Sequence, residues 1–241
     1  MGLFDDLSDR LQDVAKKSGE FAQTAAKKSG ELIEIRNNNI NMVSVDGYRI
    51  SFRKANLVSG SSDNDVVVPS KALNEISKIL NPESEENVSV YFTDKHILFD
   101  IAGNKVVSRI FDGEFLKYEN SFTEDFKTKI VINRSEFISS LERASLVSRD
   151  AKKTPVKMEI SNEKLIITAK TEMGSAFYEQ IEIEAEGEDM IIAFNSKYFI
   201  DALKVIDDEK VTLQFTTSLS PCIIKPVEGD EYKYLILPMR I

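Results

Sequence analysis

The chain has 241 residues, of which 42% are hydrophobic and 29% are charged, and its formal net charge is −9. This composition supports one large domain or two ordinary ones, and it excludes wholesale disorder and collagen-like repetition. There is a single cysteine, Cys222, and a single histidine, His96, which excludes internal disulfides, structural zinc sites built on several thiolates and His-rich metal sites. His96 is the only imidazole base available to a Ser or Cys nucleophile.

The acidic balance argues against adhesion to nucleic acid through the whole surface, although a local basic face is compatible with it. No stretch approaches the roughly 20 apolar residues that a membrane-spanning helix needs. The first residues, Met1 to Phe4, run into Asp5 and Asp6 without a basic-then-apolar leader. We therefore expect a cytoplasmic protein without a membrane span.

The first 31 residues differ in composition and periodicity from the rest. They contain an 11-residue repeat, in which AKKSGE occurs at 15–20 and again at 26–31. Apolar residues recur at helical spacing before the repeat, at Leu3, Phe4, Leu7, Leu11 and Val14. We predict an amphipathic helical segment that packs on the rest of the protein or forms a loose tail. A membrane-surface helix is less favoured, because the stripe is short and its charges nearly cancel.

From Leu32 onward the sequence reads as strands and helices in a repeated order. Strands are predicted at 32–35, 40–45 and 48–53, with a turn at 37–39. A strand then leads through a polar cap into an amphipathic helix three times, at 66–71, 130–135 and 191–197. The distance from Pro69 to Asn133 is 64 residues, and that from Asn133 to Asn195 is 62. Spacing this regular indicates an internal repeat.

About three strands are predicted after each of these helices, which should cover 72–80, 136–148 and 198–206. The predicted strands are 88–93, 96–102, 105–111, 156–160, 164–169, 176–185, 211–216, 221–225 and 232–237, with a tight turn at Gly103-Asn104. The unit therefore reads strand, helix, then three strands. This order predicts the α+β class, with antiparallel sheets and helices on one face.

The helices carry apolar residues on one side and cations on another. The apolar stripes comprise Leu73, Ile76, Ile79 and Leu80 in the first helix and Phe199, Leu203 and Ile206 in the third. The cations that we select are Lys71, Lys78, Arg143, Arg149, Lys197 and Lys204. Residues 134–153 hold five cations against three carboxylates. For any one pair an ordinary solvated helix surface is the simpler interpretation, but recurrence in equivalent positions favours a basic face.

Four motifs resemble the bacterial DNA sliding clamp, the β subunit of DNA polymerase III. They are VDGYRI at 45–50, VVVPSK at 66–71, DGEFLKY at 112–118 and YLILPMRI at 234–241, which are similar to the family's T-D-G-H-R-L, V-I-V-P-R-K, D-G-R-F-P-D-Y and Y-V-V-M-P-M-R-L. The C-terminal motif is the most specific. The resemblance covers about residues 32–241 and leaves residues 1–31 unmatched.

The resemblance implies a DNA-clamp fold, in which three domains per chain and two chains close a ring around DNA. Cationic helix faces would then point at the phosphates of double-stranded DNA, without reading its sequence. Lys71 matches a basic DNA-facing residue of the family, whereas the other five cations are selected from their helix faces alone.

The resemblance also implies a hydrophobic groove that captures short peptide motifs of the replicative polymerase and the clamp loader. Carried over by motif, its residues are Gly47, Tyr48, Arg49, Ile50, Leu116, Asn120, Ser121, Asn195, Tyr198, Leu219, Pro221, Leu235, Ile236, Leu237, Pro238, Met239, Arg240 and Ile241. Apolar walls and a flexible methionine suit a Leu-Phe anchor, while Arg49 and Arg240 suit polar groups of the peptide. Tyr48 replaces the family's His, Leu116 its Pro and Asn120 its Arg, so the peptide preference should differ in detail.

The resemblance divides the chain into residues 1–31, a truncated middle domain at 32–122 and a C-terminal domain at 123–241. The family's first domain has no counterpart, which puts the usual homodimeric ring in doubt. Asp5 lies 64 residues before Pro69. We therefore expect the helix from Asp5 onward to substitute for a helix of the middle domain.

No catalytic site is expected, because the sequence has no phosphate-cradling Gly loop and no nucleophile with its base. We accordingly expect no cofactor and no metal, and any polymerase or transferase label would come from the family alone. The leading interpretation is a sliding clamp, or a truncated derivative, that gives processivity to a DNA polymerase. Two alternatives remain: an interaction or membrane-surface protein acting through residues 1–31, and a recombined fragment without function.

Overall fold

The computed structural model describes residues 30–57, 63–81, 84, 86–147, 155–171 and 174–240. They belong to two compact units, one extending to Lys117 and the other beginning at Tyr118. The amphipathic helix predicted over 1–31 lies outside these residues, except that Gly30 and Glu31 belong to the first strand rather than to a helix. No helix in the described ranges has the length and apolar content needed to cross a membrane.

The first unit contains seven strands and one helix among its described residues. These are β1 (Gly30–Arg36), β2 (Asn39–Val45), β3 (Arg49–Asn56), β4 (Asn64–Pro69), α1 (Ser70–Ile79), β5 (Val88–Phe92), β6 (His96–Ile101) and β7 (Asn104–Arg109). They form two antiparallel sheets, with strand orders β3-β2-β1-β4 and β5-β6-β7. The strand-to-helix junction predicted at 66–71 is confirmed by β4 and α1.

The core of the first unit lies between these two sheets and α1. Leu73 and Ile76 of α1 are buried in one cluster with Val68 of β4 and Ile97 of β6. Ile79, which we predicted to be part of this stripe, is 44% exposed. The helix ends at Ile79 and the backbone of Leu80 is extended, so Leu80 turns into the core and Ile79 stays at the surface.

The hairpin between β6 and β7 turns one residue earlier than predicted. Ile101 pairs with Asn104, which leaves Ala102 and Gly103 as the central residues of the turn. Both have positive φ, at 51° and 80°, as a two-residue hairpin turn of type I′ requires. The predicted turn at Gly103-Asn104 is therefore wrong by one position, because Ala102 takes the left-handed conformation usually left to Gly, Asn or Asp.

The second unit contains nine strands and two helices in its described part, after a 3-10 turn at Tyr118–Ser121. They are β8 (Thr128–Asn133), α2 (Arg134–Val147), β9 (Val156–Ser161), β10 (Lys164–Lys170), β11 (Ala176–Glu182), β12 (Glu184–Gly187), β13 (Met190–Phe194), α3 (Ser196–Leu203), β14 (Lys210–Phe215), β15 (Cys222–Pro226) and β16 (Tyr232–Ile236). Two antiparallel sheets result, with orders β12-β8-β14-β15-β16 and β11-β10-β9-β13.

The two repeats of the second unit exchange their first strands. β8, which leads into α2, pairs with β14 of the following repeat. β13, which leads into α3, pairs with β9 of the preceding one. Each sheet is therefore completed by a strand from the other repeat. The predicted α+β class, with antiparallel sheets, is confirmed.

The strand predicted over 176–185 is in fact two strands. β11 pairs with β10, whereas β12 pairs with β8 in the other sheet. Ile183 lies between them with 7% of its surface exposed, and its N–H donates to the carbonyl of Glu163 at 3.0 Å. A continuous alternating pattern cannot reveal such a change of sheet, because both strands keep the same period.

The helices α2 and α3 pack together through aromatic side chains. The ring of Phe199 in α3 lies 5.7 Å from that of Phe137 in α2 and 4.9 Å from that of Phe194, and both contacts are edge-to-face. All three side chains are fully buried. Arg134 adds a polar link, since its guanidinium donates to the carbonyls of Leu203 at 3.2 Å and Asp208 at 2.7 Å. These contacts fix the position of α3.

Glu31 gives the first unit a pH-dependent stability. Its side chain is buried, and this burial raises the pKa of Glu31 to about 8, an effect that the Ser70 hydroxyl offsets only in part. Because the folded pKa lies above the unfolded value of 4.5, the stabilisation is complete below pH 4.5 and is lost as pH rises through 8. The free energy of unfolding therefore falls with each pH unit in this window.

We predict that Glu31→Gln, a neutral substitution of similar size, removes most of this pH dependence. Urea unfolding at pH 5.5 and pH 8.5 should show a lower midpoint at the higher pH for the parent protein and a much smaller difference for the variant. Glu34→Gln in the same strand is the control and should behave as the parent. Identical pH dependence in all three proteins would contradict the assignment to Glu31.

Candidate nucleic-acid interface and peptide-binding residues

Helix α1 presents the two lysines of the first unit that we predicted to face DNA. Lys71, in its first turn, is exposed and has no ion-pair partner in the described part of the chain. Lys78, in its last turn, forms an ion pair one helical turn back, with its Nζ 2.9 Å from Glu75 Oε1. This hydrogen bond lowers the pKa of Glu75. Of the two lysines, Lys71 is therefore the one whose ammonium contacts no carboxylate of the described residues, although its charge also helps to lower the pKa of Glu75.

The predicted cations of the second unit are also exposed and also paired. Lys197 lies 3.2 Å from both carboxyl oxygens of Asp201 along α3. Lys204 lies 2.7 Å from Glu142 and so joins α3 to α2. Arg143 donates from Nε to Glu179 at 3.1 Å, and this contact raises the pKa of Arg143 and lowers that of Glu179. Arg149 lies outside the described residues.

In each unit, the predicted helix cations of the described residues are thus held in ion pairs, with Lys71 as the exception. The four paired cations keep 48 to 60% of their side-chain surface exposed. Exposed pairs of this kind contribute little net stability, so a phosphate can replace the carboxylate at little cost. The pairs within one helix were readable from their spacing of three or four residues. The ion pairs to Glu142 and Glu179 join residues far apart in the sequence, so they could not be predicted from local spacing.

The VDGYRI turn between β2 and β3 is organised by Asp46. One carboxyl oxygen of Asp46 accepts from the N–H groups of Tyr48, at 2.8 Å, and Arg49, at 3.0 Å. The other accepts from Arg49 Nε at 2.9 Å. Gly47 and Tyr48 stand at the exposed tip, whereas the Arg49 side chain is 1% exposed. We did not predict this role of Asp46 from the sequence, although an Asp at the start of a turn commonly accepts hydrogen bonds from the backbone N–H groups that follow it.

Arg49 therefore differs from the prediction in its role. Its guanidinium is buried against Asp46 in this structure, so it supports the turn and does not present itself to a peptide. Ile50, also among the predicted peptide-binding residues, is 6% exposed and belongs to the core. Leu116 is 55% exposed, near the end of the first unit. The exposed candidates of this unit are consequently Gly47, Tyr48 and Leu116.

In the second unit, the N-terminus of α3 and the C-terminal segment lie side by side. Asn195 caps α3, with its side-chain oxygen accepting from the N–H of Lys197 at 3.0 Å. Met239 donates its N–H to the carbonyl of Ala193 at 2.8 Å, two residues before that cap. The hydrogen bond holds Met239 beside the end of β13, where Asn195 caps α3, and Tyr198 in the first turn of that helix is partly exposed.

The C-terminal motif divides into a buried and an exposed part. Leu235 and Ile236 are buried in β16, opposite Ile223 and Cys222 of β15. They belong to the core beneath the exposed residues of the motif. Leu237 is 39% exposed, Pro238 and Met239 are partly exposed, and Arg240 is exposed. Ile241 lies outside the described residues.

The remaining predicted residues of this unit lie on loops. Leu219 is 79% exposed in the loop 216–220, whose shape is held by a 2.7 Å hydrogen bond between the hydroxyls of Thr217 and Ser220. Pro221 follows this loop and is partly exposed. Asn120 and Ser121, in the 3-10 turn, are exposed and partly exposed. Among the described residues, no cluster of three potential His, Cys, Asp or Glu ligands could hold a metal ion.

Fold and surface together define a class of protein: interlocked strand-helix-strand repeats that carry cations on their helices and exposed apolar residues at a C-terminal segment. The family model for the C-terminal domain of the DNA polymerase III beta subunit matches residues 120–240, and the one for its central domain matches residues 22–117. The chain belongs to the DNA polymerase III beta subunit family. The match to the central domain begins ten residues before the start at 32 that we predicted.

Similar proteins carry the same description. A beta sliding clamp of Staphylococcus epidermidis is 32% identical over 207 residues, which is 86% of this chain and 55% of the relative. A crystal structure of a putative DNA polymerase III beta subunit from Eubacterium rectale superposes with a TM-score of 0.89 and 37% identity, covering 95% of this chain and 64% of that one. The sliding clamp of Bacillus subtilis gives 0.89 and 28%, covering 95% and 63%. The chain thus spans little more than half the length of the curated relatives.

We predict that Asp46→Ala destabilises the protein by about 2–4 kcal/mol, because it removes a carboxylate that pairs a buried guanidinium and shapes a turn. Asp46→Asn is the matched variant and should lose less, since its side-chain oxygen can still accept from the two backbone N–H groups. Urea denaturation measures both. Equal, small losses in the two variants would show that Asp46 does not hold Arg49.

Proposed function

We propose that this protein works as a sliding clamp, or as a shortened form of one, which binds short peptide motifs of the replicative polymerase and the clamp loader. The observation that carries the proposal is the hydrogen bond from Met239 to Ala193. It keeps an exposed apolar segment beside the capped N-terminus of α3, where the family resemblance expects a peptide to bind.

The chemistry of this surface suits an extended peptide with an apolar anchor. Leu237 and Leu219 expose apolar side chains, and Met239 can adjust its shape to a Leu or Phe side chain. Arg240 is exposed and can receive a carboxylate or a backbone carbonyl of the peptide. A few such anchors carry most of the energy in peptide recognition.

The proposed contribution to DNA synthesis is processivity, without chemistry of the protein's own. The clamp would hold a polymerase on double-stranded DNA through contacts with phosphates that do not depend on sequence. Lys71 is the strongest candidate for such a contact, since it is exposed and contacts no carboxylate among the described residues. Lys78, Arg143, Lys197 and Lys204 would exchange a carboxylate partner for a phosphate. Of the residues 1–31 on which the alternative rests, only Gly30 and Glu31 belong to the described structure.

We predict that a fluorescent peptide with a Leu-Phe clamp-binding motif binds saturably, and that deleting Pro238–Ile241 abolishes this binding. The deletion leaves β16 intact, because that strand ends at Ile236. Leu219→Asp should weaken binding at least tenfold, whereas Val227→Asp, at a residue 51% exposed outside the predicted set, should not. Fluorescence polarisation measures all four proteins. Undiminished binding by the folded deletion variant would refute this site.

We predict weak, salt-sensitive binding of a short fluorescent DNA duplex, in which Lys71→Ala reduces affinity more than Lys78→Ala does. The reason is that Lys78 gives up an existing ion pair with Glu75 when it binds a phosphate. Polarisation titrations at about 50 and 200 mM salt should show affinity falling with salt in the parent protein. Binding that ignores salt, or equal effects of the two substitutions, would contradict the assignment.

A further inference from the structure

Strand β5 of the first unit has an open edge. Among the described residues it pairs with β6 and with no other strand, so that it ends the sheet β5-β6-β7. The backbone groups along such an edge can accept another strand. Natural edge strands commonly carry charges or Pro, which prevent this pairing, but the sequence of β5, VSVYF, contains neither. β5 therefore lacks the usual protection of an edge.

The second unit shows the same strand with its edge covered. The segments VSVYFT at 88–93 and VTLQFT at 211–216 follow the helix in equivalent repeats. β14, in the later repeat, pairs with β15 on one side and with β8 on the other. Three alternate apolar side chains of β14 are at most 1% exposed, whereas their counterparts in β5 are only partly buried against the core. The two sets are Val211, Leu213 and Phe215 in β14 and Val88, Val90 and Phe92 in β5.

The register with β6 shows which backbone groups point outward. Just beyond β5, the N–H of Thr93 donates to the carbonyl of the opposite residue, His96, at 2.9 Å. Hydrogen-bonded and non-hydrogen-bonded pairs alternate along an antiparallel ladder, so the odd-numbered residues of β5 also direct their N–H and C=O groups towards β6. The even-numbered residues, Val88, Val90 and Phe92, therefore present their donors and acceptors at the open edge.

We propose that β5 of one molecule pairs antiparallel with β5 of a second copy of this chain, about a two-fold axis at Val90. In this register Val90 lies opposite its own counterpart, and Val88 lies opposite Phe92. Each of these pairs can exchange both N–H···O=C hydrogen bonds, because all three residues direct their backbone groups outward. The three-stranded sheets of the two copies then become one continuous sheet.

The side chains fit the same register on both faces of the sheet. On the core face, valine comes opposite valine or phenylalanine, and pairs of aromatic and β-branched side chains stabilise a sheet. On the solvent face, Ser89 lies opposite Tyr91, so no charged group enters the contact. Immediately outside the strand, the exposed Glu86 comes opposite the exposed Asp94 of the second copy. This repulsion confines the pairing to β5.

The described strands favour a second β5 over the other open edges. β7 carries Lys105 and Arg109, and β11 carries Glu179 and Glu182, for which β5 offers no counter-charge. β8 already covers the edge of β14. A contact of β5 with itself is isologous and closes at two copies, so we expect a particle of twice the 27.2 kDa chain mass. The pairing does not depend on DNA or on peptide binding.

Charges on the solvent face test the contact and its register at two exposed positions. Ser89→Lys with Tyr91→Lys places lysine opposite lysine and should weaken association at least tenfold. The matched variant, Ser89→Lys with Tyr91→Glu, places each lysine opposite a glutamate and should associate at least as tightly as the parent. Sedimentation velocity over a series of concentrations measures both. A monomeric parent protein at the highest soluble concentration, or equal association of the two double variants, would overturn the proposal.

Cysteine cross-linking separates this contact from association through another surface. The single variants Ser89→Cys and Tyr91→Cys should form disulfide-linked dimers when they are mixed under mild oxidation, because residue 89 of one copy faces residue 91 of the other. Either variant alone should form few. Cys222 is buried and does not compete. Equal yields from the mixture and from either variant alone would exclude the register.

Hydrogen exchange distinguishes a second copy from another segment of the same chain as the occupant of the edge. The amides of Val88, Val90 and Phe92, followed by NMR, should exchange more slowly as the protein concentration rises. Those of Ser89 and Tyr91, which face β6, should be protected at every concentration. Protection of the three outward amides in a dilute, monomeric sample would show that the chain covers its own edge, and the proposal would then be wrong.

Discussion

The exchange of strands between repeats is the constraint on which the rest of the second unit depends. β8 completes the sheet of the later repeat, and β13 completes that of the earlier one, so neither repeat can satisfy its backbone hydrogen bonds alone. The exchange brings α2 beside α3, where Phe137, Phe194 and Phe199 interlock. It also fixes the end of β13, to which the C-terminal segment is hydrogen-bonded. The candidate peptide surface is therefore a consequence of the fold.

Most of the charged side chains described above stabilise local structure through ion pairs and hydrogen bonds. Arg49 is buried against Asp46, and Arg134 binds carbonyls at the end of α3. Of the predicted DNA-facing cations in the described residues, all but Lys71 pair with carboxylates. In the proposed DNA contact, a phosphate would meet Lys71 directly and would displace a weakly held carboxylate at the other predicted cations.

The sequence was sufficient for the order of elements and the class of fold, because strand and helix periods alternate clearly and the caps mark each junction. The features it missed depend on tertiary contacts. The exposure of Ile79 follows from where the backbone leaves α1, and the break at Ile183 follows from a change of sheet. Arg49 was assigned to the peptide groove because it lies in the VDGYRI motif, yet its side chain is buried against Asp46. The partners of Lys204 and Arg143 lie on other elements and were beyond any local pattern.

The central claim is that a capped helix and a tethered C-terminal segment form one binding surface. Hydrogen–deuterium exchange of the full chain, with and without a saturating clamp-binding peptide, tests it most directly. We expect slower exchange on binding at 195–198, 217–221 and 237–240, with β14 and β15 unchanged. Protection confined to other segments, or uniform protection of the whole second unit, would contradict the claim that these residues form the site.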